Sequence, residues 1–196
     1  MDKGMMNEYY GQAMVLVDTP LGPMGWLAPD FTLADPNGQH IALADQWSSS
    51  AVLIAFICNH CPYVQRIANR LAADTSALLS EGISVLGIMS NDYTAYPDDA
   101  PEAMVRFSQK HAFEFPYLVD KDQSVGRAYG AVCTPDFFGF NSRGALQYRG
   151  RLDNARATET PKMRTPELLN AMRQIAQTGS GPDRQHPSMG CSIKWR

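Results

Sequence analysis

The sequence lacks the features that mark membrane proteins and nucleic-acid-binding proteins. Its longest apolar run, residues 51–58, is far shorter than the roughly 20 residues that a membrane-spanning helix needs. Lysine and arginine number 17 against 20 aspartates and glutamates, which leaves a formal net charge of −3. With no excess of positive charge, we expect neither nucleic acid nor a membrane surface as a partner.

Export signals and a disulfide framework are also missing. The N-terminus has no basic start followed by an apolar stretch, and Asp2 and Glu8 stand where a signal peptide would be hydrophobic. We therefore expect a cytoplasmic protein. The 4 cysteines in 196 residues then indicate redox or metal chemistry rather than structural disulfides.

What is present is an alternation of strand and helix patterns that predicts an α/β fold. The apolar run over residues 51–57 predicts a central strand, and apolar residues at intervals of three or four predict a helix over 62–79. The other predicted elements are an N-terminal β-hairpin at 28–43, strands at 83–89 and 115–119, helices at 101–112, 122–129 and 165–178, and a second hairpin from strands 137–140 and 146–151. We expect a central mixed sheet flanked by helices.

The domain organisation is predicted to be simple, because no repeat, linker or low-complexity tract interrupts the chain. Residues 1–20 are predicted to be an N-terminal extension and residues 21–178 the domain. Residues 179–196 are polar, contain two prolines and are predicted to be a tail lying over the domain. No cofactor is expected.

The strongest chemical signal is the Cys-Asn-His-Cys-Pro sequence at residues 58–62. Cys58 ends a predicted buried strand, and Cys61 falls in the first turn of a predicted helix, where unpaired N–H groups and the helix dipole favour a thiolate. We therefore expect a lowered pKa for Cys58, which would be the attacking sulfur. Pro62 suits the first helical turn because its missing N–H would have no partner there.

His60, inside this motif, is expected to stabilise the thiolate by a hydrogen bond or by charge. A Cys-x-x-Cys spacing also arises by chance or as half of a metal site. A structural zinc site needs a second pair of ligands, and no second Cys-x-x-Cys or His-x₃-His follows. The strand-to-helix position favours the redox interpretation.

A second feature is Cys133-Thr134-Pro135, directly before a predicted strand. A proline at this place is compatible with a plain strand boundary or with a cis peptide bond. Cys133 is either a further redox thiol or a small buried residue. Cys191, in the predicted tail, is either a resolving thiol or a surface thiol.

The sequence resembles the thioredoxin superfamily, within the branch that contains peroxiredoxins (AhpC/TSA) and TlpA/ResA-like proteins. The resemblance covers residues 21–178 and rests on Ala-Pro-Asp-Phe at 28–31, the Cys-x-x-Cys motif, and Thr134-Pro135. The ending at 190–195, Gly-Cys-Ser-Ile-Lys-Trp, resembles peroxiredoxin-like bacterial proteins that carry this motif. The resemblance implies a thioredoxin fold, a cis Pro135, and a Thr134 that lines the site and binds the partner.

The departures from these families matter for function. Peroxiredoxins carry Pro-x-x-x-Thr-x-x-Cys and a distant arginine, and aligning their cysteine on Cys61 puts Ile54 at the proline and Cys58 at the threonine. Pro135 falls near the position of the arginine, so the resemblance argues against peroxidase activity. At the position of the buried acid of thioredoxin stands Val52, which leaves proton handling to water or to another group, with His60 a candidate.

Three functions follow from these residues. The first is a thiol–disulfide oxidoreductase, in which Cys58 attacks a protein or small-molecule disulfide, Cys61 resolves the mixed disulfide, and an upstream dithiol reductant restores the thiols. The second is a thiol peroxidase. The third is a metal-binding or metallochaperone module, because Cys58, Cys61 and His60 would suit Cu(I).

Overall fold

The structure of the chain is a computed structural model that describes residues 16–47, 50–155 and 164–196. The strands are β1 (Leu16–Asp18), β2 (Thr32–Ala34), β3 (His40–Ala42), β4 (Ala51–Phe56), β5 (Ser84–Met89), β6 (Tyr117–Val119), β7 (Cys133–Thr134), β8 (Asp136–Asn141), β9 (Leu146–Gly150) and β10 (Met189–Ser192). The helices are α1 (Pro62–Ser80), α2 (Pro101–His111), α3 (Ser124–Ala128) and α4 (Glu167–Thr178), with short 3-10 helices at Leu43–Gln46 and Pro97–Asp99.

Seven strands form a mixed sheet in the order β3-β2-β6-β5-β4-β8-β9. The middle strands β4, β5 and β6 are parallel, while β8, β9 and the N-terminal hairpin β2–β3 add antiparallel pairs. The predicted mixed sheet is confirmed. Its central strand β4 leads directly into the Cys-x-x-Cys segment, so the motif starts from the most constrained part of the fold.

The alternation of side chains along β4 divides the core between the two faces of the sheet. Leu53 and Ala55 face one cluster, which also holds the apolar stripe of α1 and the buried side of α4. Ile54 and Phe56 face a second cluster on the opposite side. All six residues of β4 are buried, as expected for a strand covered on both faces.

Three short strands that the pattern did not predict, β1, β7 and β10, form a second sheet in the order β1-β10-β7. β10 lies within the predicted tail at 179–196, and β1 lies within the predicted extension at 1–20, of which residues 1–15 are outside the described part. The proposed boundaries at residues 21 and 179 stay predictions. Within the described ranges, no helix is long and apolar enough to cross a membrane.

Candidate active site

Cys58 and Cys61 lie between the end of β4 and the start of α1. The pairing of β4 with β5 continues one residue beyond the strand, because the N–H of Ile57 donates to the carbonyl of Ile88 at 3.0 Å. Cys61 is the residue directly before α1, and Pro62 occupies its first position. Both cysteines are almost completely buried, at 1% and 0% exposure. The motif therefore places two buried thiols at the N-terminus of a 19-residue helix.

The Thr134–Pro135 segment faces this pair. The peptide bond between Thr134 and Pro135 is cis, as the resemblance implied. The hydroxyl of Thr134 lies 3.1 Å from the sulfur of Cys58, and its carbonyl lies 3.1 Å from the sulfur of Cys61, which donates to it as a thiol. The structure thus brings together Cys58, Cys61, Thr134 and Pro135.

The surroundings of Cys61 favour its thiolate. Burial opposes the charge, but the nearby thiols of Cys191 and Cys58 and the nearby backbone N–H groups of Val64 and Cys191 outweigh it and lower the pKa of Cys61. The carbonyl of Thr134 works in the other direction, because the sulfur can only donate to it. We assign the charge to Cys61, because its pKa is lowered whereas that of Cys58 is raised, and because its position directly before α1 is the positive end of the helix dipole.

The prediction of a lowered pKa for Cys58 is wrong. Burial, the hydrogen bond with Cys61 and the charge of Asp99 raise the pKa of Cys58 above its ordinary value, although the hydroxyl of Thr134 opposes them. The reason is position along the chain. Because α1 begins at Pro62, Cys61 lies at the positive end of the helix dipole, whereas Cys58 lies three residues further from the helix.

His60 is held by a buried acid that the sequence did not reveal. Its Nδ1 donates to Oδ2 of Asp99 at 2.6 Å, and Asp99 is 0% exposed. The other carboxylate oxygen accepts the backbone N–H groups of Asn59 and His60 at 2.7 and 3.1 Å. Burial disfavours the charged imidazole, but the hydrogen bond and charge of Asp99 outweigh it and raise the pKa of His60.

Two further hydrogen bonds fix the backbone of the motif. The hydroxyl of Tyr117 donates to the carbonyl of Ile57 and to Oδ1 of Asn59, both at 3.2 Å. The side-chain amide of Gln65, one turn into α1, donates to the carbonyl of Asn59 at 2.8 Å. Each residue between the cysteines is thus anchored by its side chain or backbone, so the two sulfurs are kept close before any reaction.

The remaining cysteines differ in their positions. Cys191, on β10, pairs with Thr134 in the small sheet and is buried in the same core cluster as Cys61. Cys133 precedes Thr134 on β7, so strand alternation points it to the other face, where its sulfur lies 3.6 Å from the carbonyl of Pro135. Burial and the charge of Asp136 raise the pKa of Cys133.

Metal ligation would use a different set of atoms from the predicted one. Ligand atoms of Cys58, His60 and Asp99 lie within 4.8 Å of one another, whereas the sequence suggested Cys58, Cys61 and His60. Both oxygens of Asp99 already accept hydrogen bonds, one of them from the side-chain amide of Asn91 at 2.8 Å. A metal ion at this place would have to displace bonds that hold the motif in position.

The sheet and the cis-proline segment define a thioredoxin fold, which the chain shares with a solved thioredoxin domain from Bacteroides vulgatus. The family model described as "AhpC/TSA family" matches residues 24–149, more than half of the chain, so the protein belongs to this family. Among solved structures, an uncharacterised conserved protein of Geobacillus kaustophilus is 38% identical, with a TM-score of 0.87 over 94% of this chain and 98% of that chain.

Two curated relatives carry names from the two branches of the predicted resemblance. Peroxiredoxin Bcp of Escherichia coli K12 is 28% identical over 115 residues, which are 59% of this chain and 69% of the relative. The thiol-disulfide oxidoreductase ResA of Halalkalibacterium halodurans is 25% identical over 130 residues, 66% of this chain and 69% of the relative. Members of the family are redox enzymes that act on thiol or disulfide substrates.

Proposed function

We propose that the protein is a thiol–disulfide oxidoreductase that works through Cys58 and Cys61. The observation that carries the proposal is the arrangement of the two buried cysteines, which lie at the start of α1 and whose sulfurs both face Thr134. Thr134 touches both sulfurs at 3.1 Å and keeps them on one side of the cis-proline segment. Because only two residues separate the cysteines in the sequence, they can close a disulfide without unfolding the helix.

The first chemical step is assigned to Cys61, because its sulfur has the lowered pKa. Its thiolate attacks one sulfur of a partner disulfide, a bond forms between Cys61 and that sulfur, and the partner's S–S bond breaks. The departing partner thiolate takes up a proton. The sequence analysis assigned this attack to Cys58, and the proposal now assigns it to Cys61.

The second step uses Cys58. Its thiol loses a proton and attacks the sulfur of Cys61, which closes the Cys58–Cys61 disulfide and releases the second partner thiol. A ring nitrogen of His60 lies within 4.8 Å of the sulfur of Cys58, and Asp99 orients the ring. We assign the removal of the proton to His60, which supplies the role left open by Val52. A dithiol reductant then restores both thiols.

A thiol peroxidase is the second candidate, and the burial of the site favours it. The sulfurs of Cys58 and Cys61 are 1% and 0% exposed, so a small peroxide reaches them more easily than a protein disulfide does. The Cys61 thiolate would attack a peroxide oxygen, and the O–O bond would break with release of water or an alcohol. The resulting sulfenic acid on Cys61 would condense with the thiol of Cys58 to a disulfide and a further water. The arrangement lacks the threonine expected from the peroxiredoxin pattern, because Cys58 stands there.

One reduced protein sample separates the two candidates. Reduction of insulin disulfides with dithiothreitol as the final reductant tests the oxidoreductase, and single-turnover oxidation by hydrogen peroxide tests the peroxidase. We expect catalytic insulin reduction, and a peroxide rate no greater than that of free cysteine. Fast peroxide turnover without insulin reduction would overturn the proposal in favour of the peroxidase. Cys133→Ser is the matched control, because this thiol points away from the pair.

The partner is proposed to be a protein or small-molecule disulfide, with a dithiol protein as upstream reductant. The cytoplasmic location expected from the sequence belongs to the same proposal, since a dithiol site is kept reduced in that compartment. Cell fractionation, combined with alkylation of thiols before lysis, tests it. Recovery of the protein in an oxidising compartment would contradict the location without affecting the chemistry.

A further inference from the structure

We propose that Cys191 is a third redox thiol of this site, which forms a disulfide with Cys61 as an alternative to the Cys58–Cys61 disulfide. The inference rests on the proposed function for its disulfide substrate. The evidence for Cys191 itself is the position of β10, which is independent of the Cys-x-x-Cys motif. The bond it predicts can be detected whether or not the protein turns over a particular substrate.

The pairing of β10 with β7 places Cys191 beside the reactive sulfur. Cys191 is opposite Thr134 in this antiparallel pair, so the two side chains point to the same face. Thr134 is the residue that touches Cys58 and Cys61 at 3.1 Å. Cys191 and Cys61 are both buried in the core cluster that also holds Cys58, so the paired strand brings the thiol of Cys191 next to the Cys-x-x-Cys pair.

The close approach of β10 depends on Gly190. A Cβ atom added there would lie 2.0 Å from the carbonyl oxygen of Thr134, a distance that no side chain can occupy. Glycine therefore lets the strand lie directly against the cis-proline segment. Residues on either side tie β10 down, since the hydroxyl of Ser188 donates to the carbonyl of Pro135 at 2.7 Å and the N–H of Ile193 to the carbonyl of Val132 at 3.1 Å.

The core packing separates Cys191 from the other buried cysteine. Cys58, Cys61 and Cys191 belong to one cluster of buried residues, together with the apolar side of α1. Cys133 lies one residue from Thr134 but points away from this cluster. Burial alone therefore does not select Cys191, because both cysteines are at most 2% exposed. Its pairing with Thr134, whose carbonyl lies 3.1 Å from the sulfur of Cys61, selects it.

Each step of the proposed exchange breaks one disulfide bond and forms another. Once Cys61 has attacked a substrate disulfide, it carries a mixed disulfide. The thiol of Cys191 loses its proton and attacks the sulfur of Cys61, which forms the Cys61–Cys191 bond and releases the substrate thiol. From the Cys58–Cys61 disulfide, the same attack releases Cys58 as a thiolate, which takes up the proton that Cys191 lost. The Cys61 thiolate and burial raise the pKa of Cys191 in the reduced site, and the charge of Lys194 opposes them. The effect of the Cys61 charge ends when Cys61 enters a disulfide.

The test isolates this bond by removing Cys58. Reduced Cys58→Ser protein is treated with oxidised glutathione, remaining thiols are alkylated, and the linkages are mapped after trypsin digestion. The sequence helps, because lysines and arginines place Cys61, Cys133 and Cys191 in three different tryptic peptides. We expect the Cys61–Cys191 linkage in most of the protein, with Cys133 alkylated.

Two double variants serve as controls. Cys58→Ser/Cys133→Ser should form the same linkage, and Cys58→Ser/Cys191→Ala should keep glutathione on Cys61 for at least ten times longer than Cys58→Ser. A persistent glutathione adduct on Cys61 in Cys58→Ser, with Cys191 alkylated, would overturn the inference. If the wild type still turned over its substrate, the proposed function would stand. Absence of both wild-type turnover and the Cys58–Cys61 disulfide would instead remove the proposed function.

Discussion

Two regions of the chain reach the sulfur of Cys61, and they differ in how they do so. In the segment from Cys58 to Pro62, the second thiol lies three residues from Cys61 along the chain, at a strand-to-helix junction. β10 reaches it from near the C-terminus, through pairing with β7 and a glycine that allows close approach. The first region is recognisable as a motif. The second shows that strand register can bring a thiol to a reactive centre without any local pattern.

The largest expected effect is on the residue that the two regions share. Cys61→Ser removes the attacking thiolate, so we expect insulin reduction to fall by roughly 100-fold or more. Cys133→Ser, a change of the same kind on the other face of β7, should stay within about twofold of the wild type. Steady-state assays of the two purified variants make this comparison. Equal losses in both would mean that burial, rather than contact with Cys61, governs these effects.

The second effect compares the two regions directly. Cys58→Ser should lower turnover by about tenfold rather than abolish it, because Cys191 can still resolve the mixed disulfide. Adding Cys191→Ala should bring turnover down to the level of Cys61→Ser. A Cys58→Ser variant already as inactive as Cys61→Ser would show that the motif region acts alone. The measurement is the same insulin assay, with circular dichroism to check that each variant is folded.

A smaller effect is expected from Asp99→Asn, which acts on the segment from Cys58 to Pro62. The change removes the charge that raises the pKa of His60, so the His60 titration followed by NMR should move to lower pH. Since the raised pKa means that folding favours protonated His60, the associated stability is present below pH about 6.5 and is lost as pH rises through the folded-state pKa. Wild type should therefore exceed Asp99→Asn in Tm most at acid pH.

Turnover of Asp99→Asn should fall by roughly fivefold at neutral pH, in line with the loss of an oriented proton acceptor. Asp98→Asn is the matched control, because this neighbouring acid is exposed. Identical His60 titrations in Asp99→Asn and Asp98→Asn would contradict the role given to the buried acid.

The smallest effect on turnover is expected from a change in β10. Gly190→Ala places a Cβ against the carbonyl of Thr134 and should push β10 away, at a cost of about 1–3 kcal/mol in unfolding free energy. With Cys58 present, insulin reduction should change by about twofold only. In the Cys58→Ser background, the Cys61–Cys191 linkage should decrease, whereas Ser192→Ala should leave it intact. Undiminished linkage in Gly190→Ala would show that close approach at this glycine is not needed.

The fold and the motif side of the site were predictable because each has a strong local signal. The apolar run that became β4 and the three-to-four spacing that became α1 placed Cys58 and Cys61 at their junction. The cis bond before Pro135 came from the resemblance, since the residues alone allowed a plain strand boundary.

The remaining parts depend on contacts between distant segments. Asp99 lies in a short 3-10 helix, and only the folded chain brings its carboxylate to the ring of His60. β10 has four residues and no alternation of apolar and polar side chains, so it was taken for part of a tail. The predicted helix already began at residue 62, as α1 does, but the spacing alone does not show which of the two sulfurs its surroundings favour as a thiolate.

The central claim is that the reduced site carries its negative charge on Cys61. The most direct measurement is the ultraviolet absorbance of the thiolate as a function of pH in Cys58→Ser and Cys61→Ser. We predict that Cys58→Ser keeps a thiolate at neutral pH, whereas Cys61→Ser shows one only at alkaline pH. A neutral-pH thiolate in Cys61→Ser, with none in Cys58→Ser, would contradict this account and return the attacking role to Cys58.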